Sequence, residues 1–385
     1  MPPLKSSIRG QIPPFIVMDV MREANRLAAG GADILHLEVG QPSTPAPVKV
    51  REAAALALSE SVLGYTDALG TPALRARIAR HYREFYGVDV APERVVVTAG
   101  ASGGFLFAFL AAFEAGDRVA LVSPGYPAYR HILTALGVEV VELQAGADDN
   151  FQPTPALLDQ IQGRIDGLII ASPSNPTGTM LAPHELSSLV QWCQKRGVRL
   201  VSDEIYHGLT YGEAAASVAG MSTDAIVINS FSKYFSMTGW RLGWMIVPAD
   251  LMPSITCLAP NFTIAPPTLS QLAAPAAFES HEELRQNLRR YAENREILMN
   301  ELPGCGIGNF RIPQGAFYLY ADIDHLTDDS LSFCQRMLHE TGVAATPGID
   351  FDPARGHQTI RFSFAGATAE IAEAMRRLRR WRPPL

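Results

Sequence analysis

The chain has 385 residues, enough for two or three domains or for one large and one small domain, and its formal net charge is -7. This acidic balance excludes the broad basic surface with which proteins gather nucleic-acid phosphates. Four cysteines without a CxxC pair and nine histidines without an HExxH pattern offer no disulfide framework and no metal site, and they indicate a reducing compartment.

The sequence also lacks the marks of secreted and membrane proteins. Residues 1–5 show no apolar core of a secretion signal, and the longest apolar run, 105–113, is too short to span a bilayer. We therefore expect a cytoplasmic protein that acts without a membrane or a nucleic-acid partner.

The first ninety residues predict a helix, a short strand and two further helices, at 15–27, 34–39, 48–58 and 72–86. From residue 94 onward, short apolar strands alternate with helices. The predicted strands are 94–98, 118–122, 138–143, 167–171, 198–202, 225–229 and 242–247, and the helices among them are 103–113, 127–136, 155–165 and 183–196. This alternation predicts an α/β fold with a mostly parallel seven-stranded sheet covered by helices.

The pattern changes after residue 248. A proline-rich loop at 260–267 and a long helix at 275–302 precede a smaller α+β unit with strands at 317–321 and 359–364 and helices at 331–340 and 369–381. The N-terminal helix and strand cannot bury their own faces, so we expect them to join this unit. The predicted division is a large cofactor-binding domain, 46–280, and a small domain formed by both chain ends, 1–45 and 281–385.

Ligands of open parallel sheets bind beyond the carboxyl ends of the strands, so the residues at those ends are the candidates for chemistry. The small residues 99–104 open a helix, where backbone N–H groups and the helix dipole favour an anion. Tyr126 follows the second strand of the sheet and can stack on a flat ring. Asn175 follows the fourth strand and provides an amide.

The next two strand ends carry charged groups. Asp203 follows strand 198–202, where a buried carboxylate needs a partner such as a protonated ring nitrogen. Lys233 follows strand 225–229 and can form an imine with a carbonyl compound, while Ser230 and Arg241 can hold a phosphate. Together the five ends match the groups of pyridoxal phosphate: phosphate, flat pyridine ring, phenolic oxygen, ring nitrogen and aldehyde carbon.

The chain resembles the class I/II aminotransferases of fold type I, the aspartate-aminotransferase-like group. Six motifs carry the resemblance in the family's order: Asn175-Pro176-Thr177-Gly178, Asp203-Glu204-Ile205-Tyr206, Ser230-Phe231-Ser232-Lys233, Gly239-Trp240-Arg241-Leu242-Gly243, Gln314-Gly315-Ala316-Phe317-Tyr318 and Arg361-Phe362-Ser363-Phe364. The resemblance implies a pyridoxal-phosphate-dependent transaminase, with amino acids and 2-oxo acids as substrates, that works as a homodimer with shared active sites.

The resemblance also implies roles for single residues. Lys233 would bind the cofactor covalently and then move the proton of the substrate Cα, and Asp203 would keep the pyridine nitrogen protonated. The remaining cofactor contacts would come from Asn175 and Tyr206 at the phenolic oxygen, Tyr126 on the ring face, and Ala101, Ser102, Ser230 and Arg241 at the phosphate, with Tyr65 reaching in from the second subunit. Arg361, helped by Asn175 and the backbone of Gly40, would grip the substrate α-carboxylate; a guanidinium binds a carboxylate with two parallel hydrogen bonds.

Two alternatives remain open at this stage. A carbon–sulfur β-lyase shares Lys233, Asp203 and Arg361, and a non-catalytic cofactor-sensing domain shares the fold. The substrate is open as well. Family members selective for dicarboxylates use a second arginine that the sequence does not place, so aspartate, alanine, aromatic and branched amino acids all remain candidates.

Overall fold

A computed structural model describes residues 4–381 of the chain. It contains thirteen strands: β1 (Leu35–His36), β2 (Val95–Thr98), β3 (Arg118–Ser123), β4 (Glu139–Gln144), β5 (Gly167–Ala171), β6 (Arg199–Asp203), β7 (Ile226–Ser230), β8 (Gly243–Ile246), β9 (Asn309–Phe310), β10 (Tyr318–Asp322), β11 (Val343–Ala344), β12 (Thr346–Pro347) and β13 (Thr359–Ser363). Seven of them form one sheet in the order β2-β8-β7-β6-β5-β3-β4. Only β8 runs antiparallel to its neighbours, which confirms the predicted α/β fold with a mostly parallel sheet.

Twelve α-helices surround the strands: α1 (Ile16–Ala29), α2 (Val48–Glu60), α3 (Pro72–Tyr86), α4 (Gly100–Ala112), α5 (Pro127–Leu136), α6 (Pro155–Leu158), α7 (Pro183–Arg196), α8 (Met252–Thr263), α9 (Thr268–Ala273), α10 (His281–Glu301), α11 (Ser330–Thr341) and α12 (Thr368–Arg380). No helix within residues 4–381 is both long and apolar enough to cross a membrane.

The sheet is buried on both faces because successive side chains of a strand point to opposite sides. One apolar layer contains Val97, Leu168, Leu200 and Val227. The layer on the other face contains Val96, Ile169, Val201 and Ile228, each next to its counterpart in sequence. Because both faces are buried, the strands are unbroken apolar runs in the sequence. Polar side chains that could take part in chemistry are therefore expected at the ends of the strands.

The ends of the chain meet beside this sheet. Strands β12, β13, β10 and β9 form an antiparallel sheet, and β1 pairs in parallel with β11, with Leu35 opposite Val343. On the N-terminal helix α1, Val20 and Ala24 pack on Leu338 and Ala344. These contacts agree with a small domain built from both chain ends, although its boundaries at 45/46 and 280/281 stay a prediction.

Several local expectations differ from the structure. The helix predicted at 275–302 begins only at His281, because residues Ala274–Glu279 form a 3-10 turn, and the strand predicted at 34–39 is limited to Leu35–His36. Residues 260–263 belong to α8 rather than to a loop, because Ile255 and Ala259 of that helix are packed in the core and hold it through Pro260. Helix α6 ends at Leu158 rather than at residue 165; the residues after it form turns, and Gly163 among them adopts a left-handed φ of 80°. Helix α4 begins at Gly100, three residues before its predicted start at 103, which brings the small-residue run into its first turn.

Candidate active site

A cavity of about 600 Å³ opens at the carboxyl edge of the large sheet. Residues from both sheets and from helix α1 line it: Phe15, Val17, Met18, Met21, Val39, Gly40, Gln41, Ala101, Ser102, Phe105, Tyr126, Tyr129, Ala171, Asn175, Asp203, Ile205, Tyr206, Ser232, Lys233, Thr238, Arg241, Tyr318 and Arg361. All the site residues predicted from the sequence lie in this lining except Ser230 and Tyr65. Parallel strands explain the convergence, because their carboxyl ends meet at one edge.

Lys233 enters the cavity from the loop after β7. Its Nζ donates a hydrogen bond of 2.5 Å to the carbonyl oxygen of Gly40, in the segment that follows β1. Burial lowers the pKa of Lys233 to about 8, and the charges of Arg361 and Arg241 act in the same direction. The neutral form of this amine, which a nucleophile or a proton acceptor requires, is therefore far more abundant near pH 7 than in an exposed lysine, at roughly one molecule in ten.

Asp203, the last residue of β6, is buried beneath the cavity. The hydroxyl of Tyr129 donates to its Oδ2, and the backbone N–H of Ile205 donates to its Oδ1 at 3.0 Å. Burial raises the pKa of Asp203 to about 6, although both donors and Lys233 oppose the rise. A carboxylate held so far from water is suited to pair with a cationic nitrogen of a ligand.

Aromatic side chains enclose the space between these two charged groups. The Tyr206 hydroxyl lies 2.8 Å from the hydroxyl of Tyr318, and the Lys233 ammonium lies 6.0 Å from the centre of the Tyr206 ring. Tyr126 precedes helix α5 and presents its ring to the cavity, with the ring of Phe15 meeting it edge-on at 5.8 Å. Gly40 must be glycine here, since a Cβ would lie 1.6 Å from the Tyr318 hydroxyl oxygen.

The first turn of α4 forms the anion-binding end of the cavity. Ala101 and Ser102 lie in that turn, where unpaired N–H groups and the helix dipole attract negative charge. The Arg241 guanidinium packs against Gly100, so closely that a Cβ at Gly100 would lie 2.5 Å from Arg241 Nη2. Backbone N–H groups at a helix start and one guanidinium together offer the hydrogen-bond donors that suit a phosphate group.

Two of the predicted residues lie outside the cavity lining. Ser230 is buried behind the wall, where its Oγ lies 2.8 Å from Ser232 Oγ and 3.0 Å from the Leu242 carbonyl oxygen. Ser232 lines the cavity in its place. Tyr65 is 84% exposed and does not take part in this chain's cavity lining.

Arg361 of β13 is the buried cation on the other side of the cavity. Its Nη1 donates to Asn175 Oδ1 at 2.8 Å, and its Nη2 donates to the Glu38 carbonyl oxygen and to Thr346 Oγ1. The rings of Tyr318 and Phe351 lie 4.3 and 4.6 Å from the guanidinium carbon. The Nε of Arg361 has no hydrogen-bond acceptor among the described residues. This fixed guanidinium can receive a carboxylate.

Sequence reasoning missed three groups of lining residues. Tyr129 stands three residues after Tyr126, on the same side of α5, and that spacing was an available signal. Ser232 was present in the Lys233 motif but was not chosen, and Tyr318 was quoted only as part of a motif. No sequence signal points to Phe15, Val17, Met18 and Met21 of the N-terminal segment, because their place over the cavity depends on tertiary packing.

Comparison with known proteins agrees with this geometry. The model of the family described as aminotransferase class I and II matches residues 32–378. The chain is 51% identical to the valine–pyruvate aminotransferase of Mycobacterium tuberculosis, over 98% of each chain. The crystal structure of an aminotransferase from M. tuberculosis superposes with a TM-score of 0.96 at 51% identity, covering 98% of this chain and 99% of that one. Aspartate aminotransferase from Thermus thermophilus with maleate gives a TM-score of 0.92 at 30% identity, covering 98% and 100%.

The chain therefore belongs to the class I and II aminotransferase family and has the aspartate aminotransferase fold. It is an aminotransferase, an enzyme that moves an amino group between an amino acid and a 2-oxo acid. This finding favours the transaminase interpretation over the β-lyase and the cofactor-sensing domain. The family is generally dependent on pyridoxal phosphate.

Proposed function

We propose that this enzyme is a pyridoxal-phosphate-dependent aminotransferase for amino acids with small or branched apolar side chains. The observation that carries the substrate class is the apolar wall of the cavity: Phe15, Val17, Met18 and Met21 of the N-terminal segment face the same space as Lys233 and Arg361. An apolar side chain gains about 0.8 kcal/mol for each methylene that such a wall removes from water.

The charged residues of the cavity also argue against a substrate with an acidic side chain. Within residues 4–381, its lining contains three cationic side chains: Lys233, Arg241 and Arg361. The proposed cofactor and the substrate α-carboxylate occupy all three. A second substrate carboxylate would be desolvated here without a partner, at a cost of several kcal/mol.

The residues present fit pyridoxal phosphate. The buried Asp203 carboxylate suits the ring nitrogen, Tyr126 the ring face, and the α4 turn with Arg241 the phosphate, where Gly100 leaves no room for a Cβ. Asn175 and Tyr206 have polar atoms in the lining suited to the phenolic oxygen. When bound, the cofactor supplies a conjugated electron sink for the substrate Cα.

The protein's own groups provide orientation and proton transfer. Arg361 binds the α-carboxylate and thereby fixes the direction of the Cα–H bond. Lys233 would hold the cofactor at its aldehyde carbon, and its Nζ, with a pKa of about 8, is suited to accept the Cα proton of the substrate. Asp203 would keep the ring nitrogen protonated by its negative charge.

Similarity supports the same substrate class. The M. tuberculosis relative is named for valine and pyruvate, and it covers 98% of this chain. We therefore propose valine or a similar branched amino acid as donor and pyruvate as acceptor. The more distant Thermus structure contains maleate, a dicarboxylate, and shares only 30% of its residues with this chain.

We further propose a homodimer with shared active sites. Thr268 Oγ1 donates to the Gly64 carbonyl oxygen at 2.6 Å and so links residues 63–65 to the chain that follows α8. Leu63 and Tyr65 are exposed on one of these segments, and Phe262 and Ile264 are exposed at the end of α8; we call these four side chains the apolar cluster. Ile264 has a φ of 61°, a costly conformation for a β-branched residue. A second copy of the chain would bury this cluster, and Tyr65 of each copy would reach the phosphate-binding end of the other copy's cavity.

We also propose that the enzyme works in the cytoplasm. Its four cysteines are free, as is usual in that reducing compartment.

The test of the substrate class is a panel of donors. The purified enzyme with pyridoxal phosphate is mixed with alanine, valine, phenylalanine or aspartate, and the appearance of the pyridoxamine form is followed by absorbance. We expect valine to convert the cofactor at least tenfold faster per unit concentration than aspartate, and pyruvate to restore the starting spectrum. Faster conversion by aspartate than by valine would contradict the proposal.

A further inference from the structure

Helix α1, which carries the apolar wall, begins without a cap of its own. Phe15 occupies the N-cap position and has no side chain able to accept a hydrogen bond, and prolines 13 and 14 precede it. Helices generally need an acceptor at this position, because their first N–H groups lack partners within the helix. The first two turns of α1 face the cavity, through Val17, Met18 and Met21.

The missing acceptor comes from the far end of the chain. Asp350 is 4% exposed, and its Oδ1 and Oδ2 accept hydrogen bonds of 3.2 Å from the backbone N–H groups of Ile16 and Val17, respectively. The carboxylate thus occupies both free amides at the start of the helix, and its charge complements the helix dipole. Asp350 therefore serves as the N-cap of α1, although it lies 334 positions from Ile16 in the sequence.

The same turn also supports the carboxylate-binding arginine. Asp350 ends a 3-10 turn, Gly348–Asp350, and the next residue, Phe351, places its ring 4.6 Å from the Arg361 guanidinium carbon. Burial raises the pKa of Asp350, while its hydrogen bonds with Val17 and Ile16 and the charge of Arg361 oppose the rise. The segment 348–351 therefore contacts both Arg361, the proposed site of the substrate α-carboxylate, and helix α1, the proposed site of the substrate side chain.

From this geometry we propose that Asp350 is a positioning residue for substrate selection, which holds the first turn of α1 over the cavity so that Phe15, Val17 and Met18 contact the substrate side chain. The inference rests on the proposed apolar specificity. Asp350 contacts no reacting atom, and its effect reaches the substrate only through the helix. It should therefore alter the discrimination among side chains more than the chemistry common to all donors.

The experiment compares Asp350→Ala with wild type on alanine, 2-aminobutyrate and valine, which differ only in the apolar side chain. We expect the valine-to-alanine ratio of kcat/KM to fall by about fivefold, the factor associated with loss of one helix cap, mainly through KM for valine. Asp350→Asn, which keeps one acceptor oxygen, should lie between the two. Hydrogen–deuterium exchange should rise at residues 16–21 in the alanine variant.

Asp329→Ala is the matched control. Asp329 caps helix α11 by accepting from the N–H groups of Leu331 and Ser332, both at 3.1 Å, and lies outside the cavity lining. This variant should lose stability and exchange faster in α11, with the donor ratio unchanged. Thermal unfolding of each variant establishes that it folds.

The outcomes separate the two proposals. If wild type converts aspartate as fast as valine, the apolar specificity itself is wrong. If the valine-to-alanine ratio of wild type survives Asp350→Ala, or if all donors lose activity by one common factor, the positioning role is overturned. An unchanged exchange rate at residues 16–21 would overturn it as well, independently of any activity measurement.

Discussion

At the scale of single residues, the proposed chemistry of this enzyme depends on charges that are largely withdrawn from water. Asp203 and Arg361 are buried and Lys233 is half-buried around one cavity, and burial shifts the pKa of Asp203 up to about 6 and that of Lys233 down to about 8. Both shifts express the cost of holding a charge away from water. A site that needs such charges lowers the stability of the protein without its ligand.

The carboxyl group of Asp203 should show this cost directly. Its pKa is about 6 in the folded protein against 3.8 as the usual value, so the folded state binds the proton more tightly. Stability from this group is therefore present at low pH and is lost as pH rises from about 4 to about 6. We expect Asp203→Asn to stabilise the cofactor-free protein at pH 7 by about 2–3 kcal/mol relative to wild type.

The measurement is urea unfolding of both proteins at several values between pH 4 and pH 8. The difference between them should shrink toward pH 4, where wild-type Asp203 is protonated. Equal effects of the substitution at pH 4 and pH 7 would show that packing, rather than ionisation, decides its contribution. Transaminase activity should be lost in the variant at every pH.

At the scale of elements, the first turn of a helix is used twice, and in both cases it favours negative charge. Helix α4 keeps its first N–H groups free for an anionic ligand, since Ala99 at its N-cap has no side-chain acceptor. Helix α1 has its first N–H groups occupied by Asp350. The same kind of unpaired amide is thus available to a ligand in one helix and occupied by a carboxylate in the other.

Gly100 provides the test for α4. Its φ of 74° and the position of Arg241, 2.5 Å from where a Cβ would be, leave no room for a side chain. We expect Gly100→Ala to displace the guanidinium and to weaken pyridoxal phosphate binding at least about tenfold, as loss of one charge-assisted contact does. Equilibrium dialysis with the cofactor measures this dissociation constant.

Gly87 supplies the matched control for that substitution. It has a φ of 67° at the end of α3, with no atom within 4 Å of its hypothetical Cβ. Gly87→Ala should cost about 1 kcal/mol of stability through backbone strain alone and leave cofactor affinity unchanged. If both variants lose the same cofactor affinity, the loss comes from backbone strain and not from displacement of Arg241.

At the scale of the whole molecule, one face of the large sheet's domain exposes apolar side chains that water disfavours. Leu63, Tyr65, Phe262 and Ile264 form this cluster, and the segments that carry them are linked by hydrogen bonds of Thr268 and Gln271. Large exposed apolar side chains on segments linked in this way indicate an interaction site. The proposed homodimer covers it.

The double substitution Phe262→Glu and Ile264→Glu should convert the dimer to monomers, because it buries two charges in the interface. Sedimentation velocity measures the mass, and activity should fall with the dimer if Tyr65 serves the second subunit. Ile312→Glu is the control, since Ile312 is 61% exposed and lies outside the cluster. If the double variant remains dimeric, the cluster is not part of the dimer interface.

The sequence by itself determined the sheet and most of the site. Apolar runs alternating with helices predict the seven strands, and parallel pairing requires their carboxyl ends to meet, so Asp203, Asn175 and Lys233 could be assigned to one site before any contact was known. These inferences depend on local periodicity and on a rule of topology. They are insensitive to errors of a few residues at element ends, such as the early start of α4.

Only the tertiary structure decided which distant segments complete the cavity. Ser230 and Ser232 are equivalent in sequence, and packing alone turns Ser232 toward the cavity. The placement of Phe15 and Val17 opposite Lys233, and of Asp350 at the start of α1, joins residues more than two hundred positions apart. Such contacts carry no local period, because they follow from how the two chain ends pack together, and that packing depends on the whole fold.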